Sequence, residues 1–110
     1  MLKYDVIIPV YRPGEKLNKL IDALLSQTLL PRRIILINTE REEFVKFSPE
    51  EAFLAQSPRL RLYHISKAEF NHGATRNYGV ALSDAPFFIC MTDDAIPAGN
   101  TMMEELLKPF

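Results

Sequence analysis

The sequence predicts an α/β fold, a Rossmann-like and mostly parallel sheet of about four strands with flanking helices, in a single domain. Short runs rich in β-branched residues alternate with a segment of clear helical period. The main runs are continuously apolar, as suits strands covered on both faces. The 110 residues leave room for one compact domain, since domains commonly take roughly 100 to 200.

Residues 4–9 read as the first buried strand, ended by Pro9 and the breaker pair Pro13 and Gly14. Over residues 15–27, Leu17, Leu20, Ile21, Leu24 and Leu25 recur at i, i+3, i+4, i+7 and i+8, one helical face that should cover this strand. A second apolar run at 33–37 follows Pro31, and strand, helix, strand implies a right-handed parallel crossover. Residues 40–58 are charged and mixed. Within them Ser48 as cap, Pro49 in the first helical position and the glutamates after it predict a short helix over 49–56. Residues 60–65 resemble a third strand, 71–73 a loop feeding a helix to about residue 83, and 87–91 a fourth strand apolar enough to be internal. A last helix is expected over 100–108.

The hydrophobic fraction of 47% and charged fraction of 25% are those of a globular chain, which sets aside disordered and fibrous classes. A net charge of −1 with interspersed signs argues against a nucleic-acid partner. No run approaches the roughly 20 apolar residues of a transmembrane segment, and no secretory signal is visible. The expected location is the cytoplasm. The single cysteine, Cys90, lies in the apolar 87–91 run and is expected to be buried packing.

Ligands of such sheets gather beyond the carboxyl ends of the strands, which directs attention to residues 9–12, 38–40, 67–76 and 92–95. Asp93 and Asp94 follow the fourth strand directly. Adjacent carboxylates repel, so a divalent cation (Mg or Mn) or a ribose hydroxyl would compensate them; a solvated turn is the competing reading. In Asn71-His72-Gly73-Ala74-Thr75-Arg76-Asn77, Asn71 can cap a helix and Gly73 allows close approach. Arg76 could receive phosphate oxygens or form a surface ion pair, and His72 is more often a hydrogen-bonding loop residue than a ligand. Tyr11 after Pro9 and Val10 could stack on a base or pack over the first helix. There is no glycine-rich phosphate loop, Cys/His metal spacing or nucleophile elbow.

Taken in order, Val6-Ile7-Ile8-Pro9-Val10-Tyr11, Leu24-Leu25-Ser26-Gln27-Thr28, Arg76-Asn77-Tyr78-Gly79-Val80-Ala81 and Met91-Thr92-Asp93-Asp94-Ala95 resemble the first half of the family 2 glycosyltransferases. These are inverting enzymes of the A-type nucleotide-diphospho-sugar transferase fold. The run from Phe70 to Asn77, with Asp94-Ala95-Ile96-Pro97, is most similar to the rhamnosyltransferase-like branch. The resemblance implies that Pro9 and Tyr11 border the base and that Arg76 lines the donor pocket. It also implies that Asp93 faces ribose or sugar and Asp94 holds the metal. Thr39, in Asn38-Thr39-Glu40, stands where the family usually has acidic base contacts, and Thr92 where many members have a first aspartate.

The expected function is therefore metal-dependent, inverting transfer of a sugar from a nucleoside diphosphate sugar (UDP or dTDP type) to a glycan or lipid-linked acceptor. Residues 1–110 would be the donor-binding domain of a longer parent chain, itself cytoplasmic or peripheral at the inner membrane face. The catalytic base is expected beyond residue 110, because general-base catalysis needs a group within reach of the acceptor proton. The competing reading is a non-catalytic nucleotide-binding or interaction module of the same fold. An uncovered sheet edge also predicts a homo-oligomer of the fragment.

Overall fold

The computed structural model describes residues 3–69, 72–95, 97 and 99–109, apart from the side chains of residues 69, 72–74 and 76. In chain order the elements are β1 (Tyr4–Tyr11), α1 (Glu15–Leu25), β2 (Arg33–Thr39), α2 (Arg41–Phe47), α3 (Glu50–Leu54), β3 (Leu60–Ile65), α4 (His72–Leu82), β4 (Phe87–Cys90) and α5 (Met102–Leu107). The four strands form one sheet in the order β3-β2-β1-β4, with every neighbouring pair parallel. This is the predicted α/β architecture, with β1 and β2 at its centre.

Strand alternation sorts the side chains into two layers. Tyr4, Val6, Ile8 and Val10 of β1 join Ile34 and Leu36 of β2 and the α1 stripe of Leu17, Leu20, Ile21 and Leu24 in the main core. On the opposite face Ile7, Ile35 and Ile37 pack with Tyr63, Ile65, Val80 and Leu82, beneath α4. Helix and strand touch most closely at Gly79, where a Cβ would fall 2.4 Å from Ile7 Cγ2. Only glycine lets α4 lie this close to β1.

Pro9 does not end β1, contrary to the sequence-based expectation. The Ile7 carbonyl accepts from Met91 N–H on the β4 side, and Pro9, two residues on, shares that orientation. Pairing with β4 has stopped by then, so the missing N–H of Pro9 breaks no ladder. Helix α2 was not anticipated, because a single buried side chain, Phe44, anchors it. The Phe44 ring packs edge-on against Phe53 of α3 at 5.1 Å and Phe47 at 5.8 Å. Helix α3 begins at Glu50 rather than Pro49. Its cap position is Pro49, and the Ser48 hydroxyl bonds the Pro49 carbonyl instead of a helix N–H.

The expectation of an internal fourth strand is corrected: β4 pairs with β1 alone and lies at the edge of this sheet. Phe87, Ile89 and Met91 pack on the main core, whereas Phe88 is 47% exposed and Cys90 is exposed rather than buried. Helix α4 covers β1 and β2, leaving the second face of β4 to solvent.

At the amino end of the sheet Asp5 is fully buried and fully used. It accepts from Arg32 Nε (3.0 Å) and Nη2 (2.7 Å), from Arg33 N–H (3.1 Å) and from the Ser83 hydroxyl (2.6 Å). Burial pushes the Asp5 carboxyl up, but Arg32, Ser83 and the backbone donor outweigh it and hold it below the ordinary value. On the α1 face of the sheet the buried Gln27 side chain donates to the Ala23 and Gly99 carbonyls and accepts from Met103 N–H, joining α1 to α5. Among the described residues, no helix is long and apolar enough to cross a membrane.

Candidate functional site

Because all four strands run the same way, their carboxyl ends share one edge of the sheet. In register, Tyr11 of β1 neighbours Thr39 of β2, which neighbours Ile65 of β3. By alternation Pro9, Tyr11, Thr39 and Ile65 belong to the α4 face of the sheet. The Tyr11 ring is flanked by two cations, with the Arg12 guanidinium 5.0 Å and the Lys67 ammonium 5.8 Å from its centroid. Arg12 also sits 3.8 Å from Glu43 of α2.

Two adjacent strand ends carry left-handed backbone at residues other than glycine, Arg12 (φ 50°) and Glu40 (φ 66°). Such conformations cost roughly 1 to 3 kcal/mol each and persist where surrounding contacts impose them. At Glu40 those contacts are visible. Its N–H donates 2.8 Å to the Ile65 carbonyl, its carbonyl accepts 3.0 Å from Asn38 Nδ2, and its carboxylate accepts from Lys67 N–H. The turn that brings Lys67 over Tyr11 is thereby tied to β2.

Behind this turn lies a polar network on the opposite face of the sheet. Asn38 Nδ2 also donates 3.0 Å to His64 Nδ1, which leaves Nε2–H of His64 to donate to the Glu50 carboxylate. Arg41 clamps the same carboxylate at 3.0 and 3.3 Å. Arg41 first, and then His64, hold the Glu50 carboxyl below its usual value against partial burial. Sequence reasoning missed this set, since its members come from four elements.

The acidic pair lies past β4. Met91 N–H still bonds the Ile7 carbonyl at 2.9 Å, and a turn closed by Ala95 N–H to the Thr92 carbonyl (3.1 Å) presents Asp93 and Asp94. Asp93 is half-buried and Asp94 exposed. Burial, and then the adjacent Asp94 charge, raise the Asp93 carboxyl above the ordinary value, while Lys16 in the first turn of α1 pulls it down. Asp93 therefore sits within electrostatic reach of the first turn of α1.

The backbone of Arg76 lies in α4, but its side chain falls outside the described residues, as do Asn71 and the side chain of His72. Within the described part of α4, Thr75 is 2% exposed. Buried side-chain atoms without a hydrogen-bond partner among the described residues are Asn38 Oδ1, Thr39 Oγ1 and Thr75 Oγ1. No group of three or more His, Cys, Asp or Glu that could hold a metal occurs among them.

Comparison with known proteins gives this edge a context. Residues 5–110 match the model of glycosyl transferase family 2. The O-antigen chain rhamnosyltransferase RfbN of Salmonella typhimurium is 32% identical over 111 residues, covering 99% of this chain and 33% of that protein. The O-antigen chain rhamnosyltransferase WbaN of Salmonella anatum is 30% identical over 112 residues, covering 100% of this chain and 34% of that protein. The chain thus spans about a third of the length of these relatives. Among solved structures, S. aureus TarS superposes with a TM-score of 0.69 at 16% identity, over 97% of this chain and 19% of its own. A TarS 1-349 structure in complex with UDP gives 0.69 at 15% identity, over 97% and 31%. The TarS likeness is one of fold, and it agrees with the parallel sheet described above. With nearly its whole length matching the family model, the chain belongs to glycosyl transferase family 2.

Proposed function

We propose that residues 1–110 are the donor-binding domain of an inverting glycosyltransferase that moves a sugar from a nucleoside diphosphate sugar to a glycan or lipid-linked acceptor. The observation that carries this reading is the convergence, at one edge of the sheet, of a cation-flanked aromatic ring (Tyr11), a buried polar strand end (Thr39) and an acidic pair (Asp93, Asp94). Each part suits a different portion of the donor. Pro9 and Tyr11 border the base, Thr39 meets its edge, Arg76 lines the pocket, and Asp93 faces ribose or sugar. The names of RfbN and WbaN support a polysaccharide product, and the TarS complexes with UDP and UDP-GlcNAc support a uridine-type donor.

A divalent cation suits the acidic pair on the chain's own chemistry. Two neighbouring carboxylates, one destabilised by burial and by the other, gain from a hard positive charge. Mg²⁺ is commonly held by one or two carboxylates, with phosphate oxygens and water completing its shell, so the lack of a third protein ligand among the described residues is compatible with it. Asp94, the more exposed of the two, would hold Mg²⁺ or Mn²⁺, and the bound ion would supply charge neutralisation at the departing diphosphate. The chain's residues orient the donor so that an acceptor oxygen attacks the anomeric carbon opposite the diphosphate, in one inverting displacement. The acceptor's proton goes to a base in the further part of the parent chain, which acts in the cytoplasm or at the inner membrane face.

Thermal unfolding with Mn²⁺ and UDP or dTDP tests the reading. At ligand concentrations about 100 times Kd, binding should add about 2.7 kcal/mol of stability, and Asp94→Ala should lose the Mn²⁺-dependent part. Equal stabilisation of the Asp94→Ala chain, or none by either nucleotide, counts against it.

A further inference from the structure

At the amino end of the sheet the buried Asp5 carboxylate is fully paired, yet Thr39 and Thr75 each bury a hydroxyl that has no partner among the described residues. Both residues are 2% exposed. A buried hydroxyl left unpaired is costly, and a threonine hydroxyl both donates and accepts, so each of these groups calls for a polar partner.

The fold places both on the α4 face of the sheet, toward its carboxyl end. Gly79 of α4 lies on Ile7, and α4 runs back against the direction of the strands. Thr75 is one helical turn earlier than Gly79, a rise of about 5.4 Å. In strand terms that is about two residues at roughly 3.3 Å each, which carries Thr75 from the level of Ile7 toward Pro9. Thr39 lies on the same face of the neighbouring strand, in register with Tyr11. The helix face that meets the strands at Gly79 also carries Thr75, consistent with its burial.

We propose that Thr75 contacts the nucleotide: its hydroxyl, together with that of Thr39, reads the imide edge of a uracil or thymine base held against Tyr11. That edge alternates carbonyl, N–H and carbonyl, so one hydroxyl donates to a carbonyl oxygen while the other accepts from the ring N–H. This assignment rests on the donor-site reading above and adds to it a residue on α4, next to Arg76 in sequence but different in chemistry. Thr75 acts as a neutral hydrogen-bonding group and not as an anion receptor.

The test compares the unmutated chain with Thr75→Val, which keeps the shape and removes the hydroxyl, and Thr75→Ser, which keeps the hydroxyl. UDP and dTDP are titrated separately by calorimetry with Mn²⁺ present, and melting is recorded without nucleotide. Thr75→Val should bind both nucleotides about tenfold more weakly and melt no lower than the unmutated chain, while Thr75→Ser stays within about threefold. Weakening of one nucleotide alone, where both bind the unmutated chain, overturns the imide-edge contact, because uracil and thymine share that edge. Thr75→Ala supplies a second hydroxyl-free chain. Unchanged affinity in the hydroxyl-free chains, or equal weakening in Thr75→Ser, overturns the assignment while leaving the donor site intact. A lower nucleotide-free melting point in Thr75→Val shows a packing role and also overturns it. Failure of the unmutated chain to bind either nucleotide removes the donor-site reading and this inference together.

Discussion

The two ends of the sheet treat buried polar groups in opposite ways. At the amino end Asp5 has no exposure and four donors, two of them from Arg32 just before β2, one from the Arg33 N–H that begins β2 and one from Ser83 just past α4. At the carboxyl end Thr39 and Thr75 are nearly as buried and have no partner among the described residues, while Arg12 and Glu40 hold left-handed backbone. A satisfied network fastens elements together; unsatisfied groups and imposed backbone shape are what a preformed ligand site carries. One end is therefore expected to govern stability and the other binding.

Breaking the amino-end network should have the largest effect on folding. Asp5→Ala leaves Arg32 and Ser83 without their shared acceptor and should cost about 3 kcal/mol in urea unfolding, with nucleotide affinity unchanged in the folded fraction. The same carboxylate sets an acid limit. Its folded-state value is held below the ordinary one, so its stabilisation is complete above the unfolded value of about 3.9 and is lost as pH falls through the lower folded value. Unfolding free energy measured from pH 6 down to 2 should fall in that acid window, and Asp5→Asn should flatten that part of the curve. If Asp5→Ala instead abolished nucleotide binding in chains that remain folded, the division between the ends would fail.

His64 lies between the two regimes. It links Glu50 of α3 to Asn38, and Asn38 holds the Glu40 turn, so His64→Ala should cost about 1 to 2 kcal/mol and also weaken UDP binding severalfold. Calorimetry alongside chemical unfolding would show whether both move. The smallest change in stability is expected from Arg12→Gly. Glycine relieves the left-handed backbone and the side chain lost is largely exposed, so stability should stay within about 1 kcal/mol of the original. Affinity for UDP should nevertheless drop, because the Tyr11 ring loses one of its two flanking cations. A sharp fall in stability without loss of affinity would reverse the expected assignment.

Much of the architecture was legible because β1, α1 and β2 have local signatures: continuous apolar runs, one helical stripe, and breakers between them. The bounds of β3 at 60–65 were read as they stand. Helix α2 was not legible, since burying Phe44 alone leaves no periodic pattern in a charged stretch. The edge position of β4 was hidden for a different reason. Local apolarity says that a strand packs on something, but whether its second face is covered depends on where α4 lies, and Gly79 fixes α4 over β1.

For the site, the rule that ligands gather at carboxyl ends led to Tyr11, Thr39 and the Asp93–Asp94 turn. Their register and the Lys16 influence on Asp93 required coordinates. The His64 network joins residues separated by 14 and 26 positions, a distance at which sequence spacing carries no signal. Thr75 was within a motif read for its arginine, and an unpaired hydroxyl can be recognised only once its surroundings are known.

The Gln27 amide spans 72 residues to Gly99 and 76 to Met103, separations far greater than those of the neighbouring strand–helix contacts. Contacts of such long range pay their loop-closure entropy last, after the local crossover has formed. The α1–α5 seam should accordingly close late in refolding, together with the still longer-range pairing of β4 with β1. It should also be the first to admit solvent deuterium in the native protein, opening as a unit while the β1–β2 ladder stays protected.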